Sequence, residues 1–121
     1  MRRANLNGAC LDGCKLREAN LSGAQLNGAS LVEAEMAGVN LRAASMHGAN
    51  LCSADLKSAI LVNADLRNAT LNGAKVYGIS AWEVNLEGAE QQALIVTRPG
   101  QPRVTSDDLE VAQFIYVLLN H

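Results

Sequence analysis

At 121 residues the chain has material for one domain with one continuous core. Ten basic against twelve acidic residues leave a formal net charge of -2, which excludes the strong field that would point to nucleic acid or an anionic membrane as a partner. Apolar residues make up 49% of the chain and aromatic ones only 3%, so the core must be built from Ala and Leu and not from rings.

The N-terminus lacks a basic start followed by an apolar run of signal-peptide type, and no apolar stretch approaches the roughly 18 residues of a membrane span. A cytoplasmic protein with no membrane partner is expected. Cys10, Cys14 and Cys52 are odd in number and lack zinc-site or redox spacing. They read as free thiols of a reducing compartment.

In chain order, the first feature is a period of five. From Ala4 to Ala89 every fifth residue is small or apolar, Ala except at Cys14, Val39, Ile79 and Val84. Two residues later runs an apolar column from Leu6 to Leu86, Leu except at Met36, Met46, Val76 and Ala81. A helix cannot explain it, because five residues rotate by about 500° and would scatter the Leu column around the axis. A strand fails too: its side chains alternate, so an odd repeat sends successive Leu residues to opposite faces. The chain must therefore turn a corner within each five residues, and four such sides close a coil of twenty with Leu and Ala inward. The position two after Leu is often Gly, at Gly8, Gly13 and Gly48 among others, as a tight turn prefers. Coils stacked about 4.8 Å apart would pair backbone groups and rise roughly 20 Å over about four coils. The fold class is an all-β solenoid, a quadrilateral β-helix of about four coils, with a C-terminal α-helix.

Runs such as Ala4-Asn5-Leu6-Asn7-Gly8, Ala19-Asn20-Leu21-Ser22-Gly23, Ala54-Asp55-Leu56-Lys57-Ser58 and Ala64-Asp65-Leu66-Arg67-Asn68 resemble the A(D/N)LXX motif of pentapeptide-repeat proteins. The resemblance implies the right-handed quadrilateral β-helix of that family and covers residues 4–89. It carries no activity with it, since a fold is not a function.

After Leu71 the repeat weakens, with Val76, Ala81 and finally Gln91 in the Leu column. Residues 1–89 are read as the β-helix, and residues 90–121 as a strand, a loop and a helix. Leu94 to Thr97 form the strand and Arg98 to Arg103 a Pro/Gly loop. Thr105 is the expected N-cap, with Asp107, Asp108 and Glu110 in the first turn. A stripe through Leu109, Ala112, Ile115, Tyr116 and Leu119 has helical spacing and is expected to cover the open last coil. The other flank, Phe114, Val117 and Leu118, is a candidate contact for a second subunit or another domain. Tyr77 and Trp82 follow inward positions and should face outward, beneath the C-terminal segment or toward a partner. The first coil is left open and is a second candidate surface for a partner.

The stretch Val76 to Asn120, notably Val76-Tyr77-Gly78-Ile79-Ser80-Ala81-Trp82 and Leu109-Glu110-Val111-Ala112-Gln113-Phe114-Ile115-Tyr116, resembles the linker of bacterial proteins in which pentapeptide repeats precede a TIR-like domain.

No catalytic, metal-ligating or cofactor-binding set emerges. His47 should stack outward with Asn27, Arg67 and Glu87, and His121 is terminal; no His and carboxylate are placed to activate a Ser or Thr. Lys15, Glu35, Asp55 and Lys75 should form a charge ladder of small energetic weight. A non-enzymatic scaffold or protein-interaction module is expected, possible partner contacts being Tyr77, Trp82, Phe114, Val117 and Leu118, with no cofactor and no small-molecule substrate. The alternative is a DNA mimic that binds and protects gyrase, a role that resemblance to some pentapeptide-repeat proteins implies. Residues 4–89 carry eight acidic and six basic residues of mixed placement, where a mimic needs a strongly acidic rod.

Overall fold

The computed structural model describes residues 3–119. The chain winds into a quadrilateral coil in which each residue preceding the inward column forms a parallel bridge with the residue twenty later, from Asn5–Gln25 through to Lys75–Ile95. Ninety residues separate Asn5 from Ile95, four and a half turns of twenty. The ladder therefore runs past residue 89 to Ile95.

One pentapeptide shows why the sequence closes this way. The N–H of Leu6 donates to the carbonyl of Gln25 in the next coil at 2.7 Å, and the N–H of Gln25 donates back to the carbonyl of Ala4 at 2.8 Å. At the corner the N–H of Ala9 donates to the carbonyl of Leu6 at 3.0 Å, closing a four-residue turn. Its third residue, Gly8, has φ 70° and donates to Asn27 at 2.9 Å. A left-handed φ at that place is the mark of a type II turn. Every corner repeats it, with φ between 56° and 74° from Arg3 to Ala93 whether or not the residue is Gly. Eight corners between Glu18 and Glu83 carry a side chain in this conformation, which favours glycine.

The fifth N–H, on the residue after Leu, explains the Asn and Asp of the motif. In seven turns it donates to the Asn or Asp two residues earlier, as Ser22 does to Asn20 Oδ1 at 3.2 Å and Arg67 to Asp65 Oδ1 at 3.1 Å. In four others it reaches an Asn or Asp one coil below: Asn27 to Asn7, Val32 to Asp12, His47 to Asn27 and Gln92 to Asn72, at 2.8–2.9 Å. The polar positions thus supply acceptors for backbone donors that the ladder leaves over.

Inside, the Leu column from Leu21 to Leu71 and the Ala column from Ala24 to Ala74 are buried, with Met36 and Met46 filling two Leu places and Val39 one Ala place. Leu6, Leu11 and Leu16 are only partly buried, and so is Cys14, because among the described residues no coil packs beneath the first. Cys14, in the inward column, therefore lies at this rim and not in the buried core.

At the other end the ladder is closed by different means. Strand β1 (Leu94–Ile95) pairs antiparallel with β2 (Thr105–Ser106), which turns the chain back across the last coil. Helix α1 (Leu109–Leu119) follows, burying Leu109 and Ala112 against the core cluster. Thr105 lies in β2 and is not the N-cap. Asp108 takes that place, its Oδ1 accepting the N–H of Val111 at 3.1 Å. Asp107 is spent elsewhere, accepting the N–H of Ala93 at 2.8 Å, where a further coil would have offered a carbonyl. Gln113, 4% exposed, presents Oε1 to the N–H of Ala81 at 3.0 Å and donates Nε2 to its carbonyl at 3.4 Å. Gln91, out of place in a Leu column, accepts the N–H of Leu109 at 2.8 Å. Side chains thus stand in for the missing coil.

Three outcomes test this account. Leu51→Asp buries an unpartnered charge and should abolish cooperative folding, whereas Asn50→Asp keeps the acceptor for Cys52 and should leave the melting temperature nearly unchanged. Gly48→Ala has open space around the new Cβ, so it should cost only the left-handed φ, about 1 kcal/mol by chemical denaturation; Gly88→Ala should cost nearly the same, because the atom its Cβ meets is the Oδ1 of the exposed Asn68 side chain, which can swing aside. Gln113→Leu strands the N–H of Ala81 and should cost about 1–3 kcal/mol, while the exposed Phe114→Ala should cost under about 0.5. Equal denaturation midpoints for those last two variants would refute the closing role of Gln113.

Candidate interaction surface at the closed end

The five residues singled out in the sequence divide into two groups. Tyr77 is half-buried: its ring meets Tyr116 of α1 edge-on at 4.6 Å between centroids, the Arg98 guanidinium lies 5.1 Å from its centroid, and its hydroxyl accepts from Arg98 Nε. The C-terminal segment covers this tyrosine. Trp82, Phe114, Val117 and Leu118 remain outside, with Leu118 76% exposed and Trp82 49%. Trp82 and Phe114 meet edge-on at 5.6 Å, so the coil and the helix contribute to one apolar surface.

That surface arises from how α1 is seated. Leu109, Ala112 and Gln113 face the coil and are buried, with Ile115 and Tyr116 half-buried beside them. The expected stripe holds except that Leu119, at the helix end, is 56% exposed and lines a shallow cleft with Tyr77, Val96 and Val104, while Val111 joins Phe114, Val117 and Leu118 on the outer flank. Val111 and Leu119 escaped sequence reasoning, since helical spacing alone does not say how far the covered arc extends. Gln113 escaped it as well; a lone glutamine within an apolar run was the available signal.

The charge column stacks as expected, Lys15, Glu35, Asp55 and Lys75 bridging in succession, but its ion pairs run sideways. Arg17 reaches Glu35 at 3.3 Å and Lys57 reaches Asp55 at 3.5 Å. His47 stacks over Asn27 and has its Nε2 3.1 Å from the Asn68 amide. Beside it Arg67 grips Asp65 at 2.7 Å and holds that carboxyl below the usual aspartate range. Asp12 is held low by the Ser30 hydroxyl and the Val32 N–H.

Concavities lie outside the coil, where residues 95–105 stand away from it. One groove of about 650 Å³ runs along the mixed-charge column between Arg17 and Arg103, and a smaller cleft of about 200 Å³ lies under the Arg98–Arg103 loop. Among the described residues no group of three or more His, Cys, Asp or Glu is placed to hold a metal ion, and no helix is long and apolar enough to cross a membrane.

Comparison with known proteins agrees with this architecture. No curated protein sequence matches the chain. Among solved structures it is similar to the pentapeptide repeat protein Rfr23 of the cyanobacterium Cyanothece 51142, with TM-score 0.61 and 38% identity over 74% of this chain and 57% of that one. The chain thus spans little more than half the length of that relative. It is also similar to alr5209, a pentapeptide repeat protein of Nostoc PCC 7120, with TM-score 0.58 and 29% identity over 92% of this chain and 83% of that one. A pentapeptide repeat protein of the Arabidopsis thaliana thylakoid lumen shares the fold, with TM-score 0.50 and 23% identity over 93% and 88% of the two chains. The fold is the right-handed quadrilateral β-helix. The sequence model of pentapeptide repeats matches eight copies over residues 1–18, 19–57, 34–73 and 53–88. It stops short of most of the stretch that resembles a linker before a TIR-like domain. With the period of five, the left-handed corners and the repeat match all in register, the chain belongs to the pentapeptide-repeat family.

Proposed function

We infer that this protein is a non-enzymatic protein-interaction module in which residues 1–89 are the rigid scaffold and residues 90–121, together with Trp82 of the coil, carry the docking face. The observation that carries the reading is the exposed apolar flank of Trp82, Phe114, Val117 and Leu118, joined across coil and helix by the Trp82–Phe114 contact and extended by Val111. Exposed aromatic and aliphatic side chains gathered on one side are what a protein interface uses as anchors. The coil interior is filled by its own Leu and Ala residues, so no substrate cavity lies within it.

The occupant that best suits this face is a second copy of the chain. The five residues are all uncharged, so they need no complementary charge opposite, and a two-fold axis can bring the same apolar patch of two copies together. Placement within a larger bacterial signalling protein accords with the linker resemblance, and a cytoplasmic setting accords with the three free thiols. Mimicry of DNA is the weaker reading, because the charged face alternates in sign and carries Arg17, Lys57, Lys75 and Arg103 along its groove and cleft.

Light scattering across a concentration series tests the reading. The chain should form a dimer that dissociates on dilution, and Phe114→Ser with Leu118→Ser should be monomeric with its melting temperature within a few degrees of the parent. A parent chain that is monomeric at every concentration rules out the second copy as occupant.

A further inference from the structure

Strand β2 ends the ladder on one side and leaves its other side open. Ile95 spends both backbone groups on the preceding coil: its N–H donates to the carbonyl of Ala74 and its carbonyl accepts from the N–H of Val76, each at 2.8 Å. Val96 is the residue that turns toward β2, donating to the carbonyl of Val104 at 3.0 Å. In an antiparallel pair, residues that exchange hydrogen bonds alternate with residues that do not. Thr105 stands opposite Ile95, whose groups point the other way, so the N–H and carbonyl of Thr105 point away from β1. Neither has a partner among the described residues, and Thr105 is exposed. Arg103, two residues earlier and also exposed, likewise has no partner for its backbone groups among the described residues.

This edge lies between two surfaces of different character, because successive side chains of a strand point to opposite faces. On the side of Val104 a cleft of about 280 Å³ is lined by Tyr77, Val96, Pro102, Val104 and Leu119, with Thr97 and Gln101 at its polar margin. On the side of Thr105 lies the mixed-charge groove, where Lys75 and Arg103 share the wall with Glu35 and Asp55. A strand laid along the edge sends alternate side chains into the apolar cleft and over the charged groove. The first side selects for apolar residues, and the second, which carries both signs, accepts polar residues without demanding a net charge.

We propose that the outer edge of β2 is a strand-addition site that takes an extended segment of a partner protein in which apolar and polar residues alternate, the apolar ones seated beside Val104 and Leu119. The N–H and carbonyl of Thr105 supply main-chain recognition, and the cleft supplies side-chain selectivity. An unpaired sheet edge is a template for another strand, and this one carries no helix or loop across Thr105. A second copy of the chain suits the edge less well, because its own β2 is bounded by Pro102, which has no N–H, and by the turn into α1. None of Trp82, Val111, Phe114, Val117 and Leu118 lines the cleft, so the inference does not rest on self-association through the apolar flank.

Backbone amide NMR of the isotope-labelled full chain tests the site, with a capped peptide of about eight residues, alternating valine and threonine between terminal lysines, as the probe. Raising the peptide to about 2 mM should shift the Thr105 amide and slow its hydrogen exchange about tenfold. The same peptide with its valine and threonine amides N-methylated cannot donate to the edge and should bind about tenfold more weakly, measured by the anisotropy of a fluorescent label. Thr105→Pro removes a donor that bonds nothing within the chain, so it should melt near the parent and weaken the unmodified peptide about fivefold to tenfold. Leu119→Asp places a charge at the exposed helix end beside the cleft and should weaken it about tenfold without altering the edge. An unshifted Thr105 amide at about 2 mM peptide, or equal binding of the N-methylated peptide, overturns the proposal. A Thr105 amide whose protection in the free chain rises with protein concentration also overturns it, in favour of a second copy as occupant.

Discussion

A single backbone conformation, the left-handed residue two places after each inward Leu, underlies everything else in this molecule. It reverses the chain sharply enough to make a corner every five residues, and only that spacing lets an odd repeat send every Leu to the same side. Once the corner exists, the five N–H groups of each repeat divide among fixed acceptors. Three are met by neighbouring coils, one within the turn and one, in many turns, by an Asn or Asp side chain. The preference for glycine at the corner and for Asn or Asp before Leu are therefore two parts of one hydrogen-bonding scheme.

A ladder of this kind has no natural end, and the C-terminal segment shows how much chemistry closing one requires. The strand pairing is reversed from parallel to antiparallel at Ile95, and Asp107 and Gln113 supply side-chain acceptors where backbone carbonyls run out. Closing the coil consumes one side of α1 and leaves the other exposed, with Phe114 meeting only the edge of the coil at Trp82 among the described residues. The apolar flank is thus a by-product of seating the helix, and its enrichment in Trp82, Phe114 and Leu118 is what suits it to the docking role proposed for it.

The exterior of the coil follows a different logic from its core. Residues twenty apart stack directly over each other, so charges along one column meet at strand spacing, yet the observed ion pairs connect adjacent columns. Long side chains such as Arg17 and Lys57 lean across because partly exposed pairs gain little from any one geometry. That sideways pairing occupies Glu35 and Asp55, and Lys75 and Arg103 line both the mixed-charge groove and the cleft under the loop.

The coil was legible from sequence because its determinants are local and repeated: Leu21 to Leu71 each report the same inward place, and an error at one repeat is corrected by the next. The sequence alone determined the period, the four-sided closure, the inward columns and the presence of a terminal helix, all of which follow from spacing and turn chemistry. Its final segment is read once and not many times, so there the tertiary structure decided. It assigned Asp108 and not Thr105 as the cap, turned Gln113 inward and Leu119 outward, covered Tyr77 but not Trp82, and brought Arg98 and Arg103 to Lys57 and Lys75. Each of these depends on the path by which the chain recrosses the last coil. That path is set by which unsatisfied N–H groups the coil presents, and they exist only once the coil has formed.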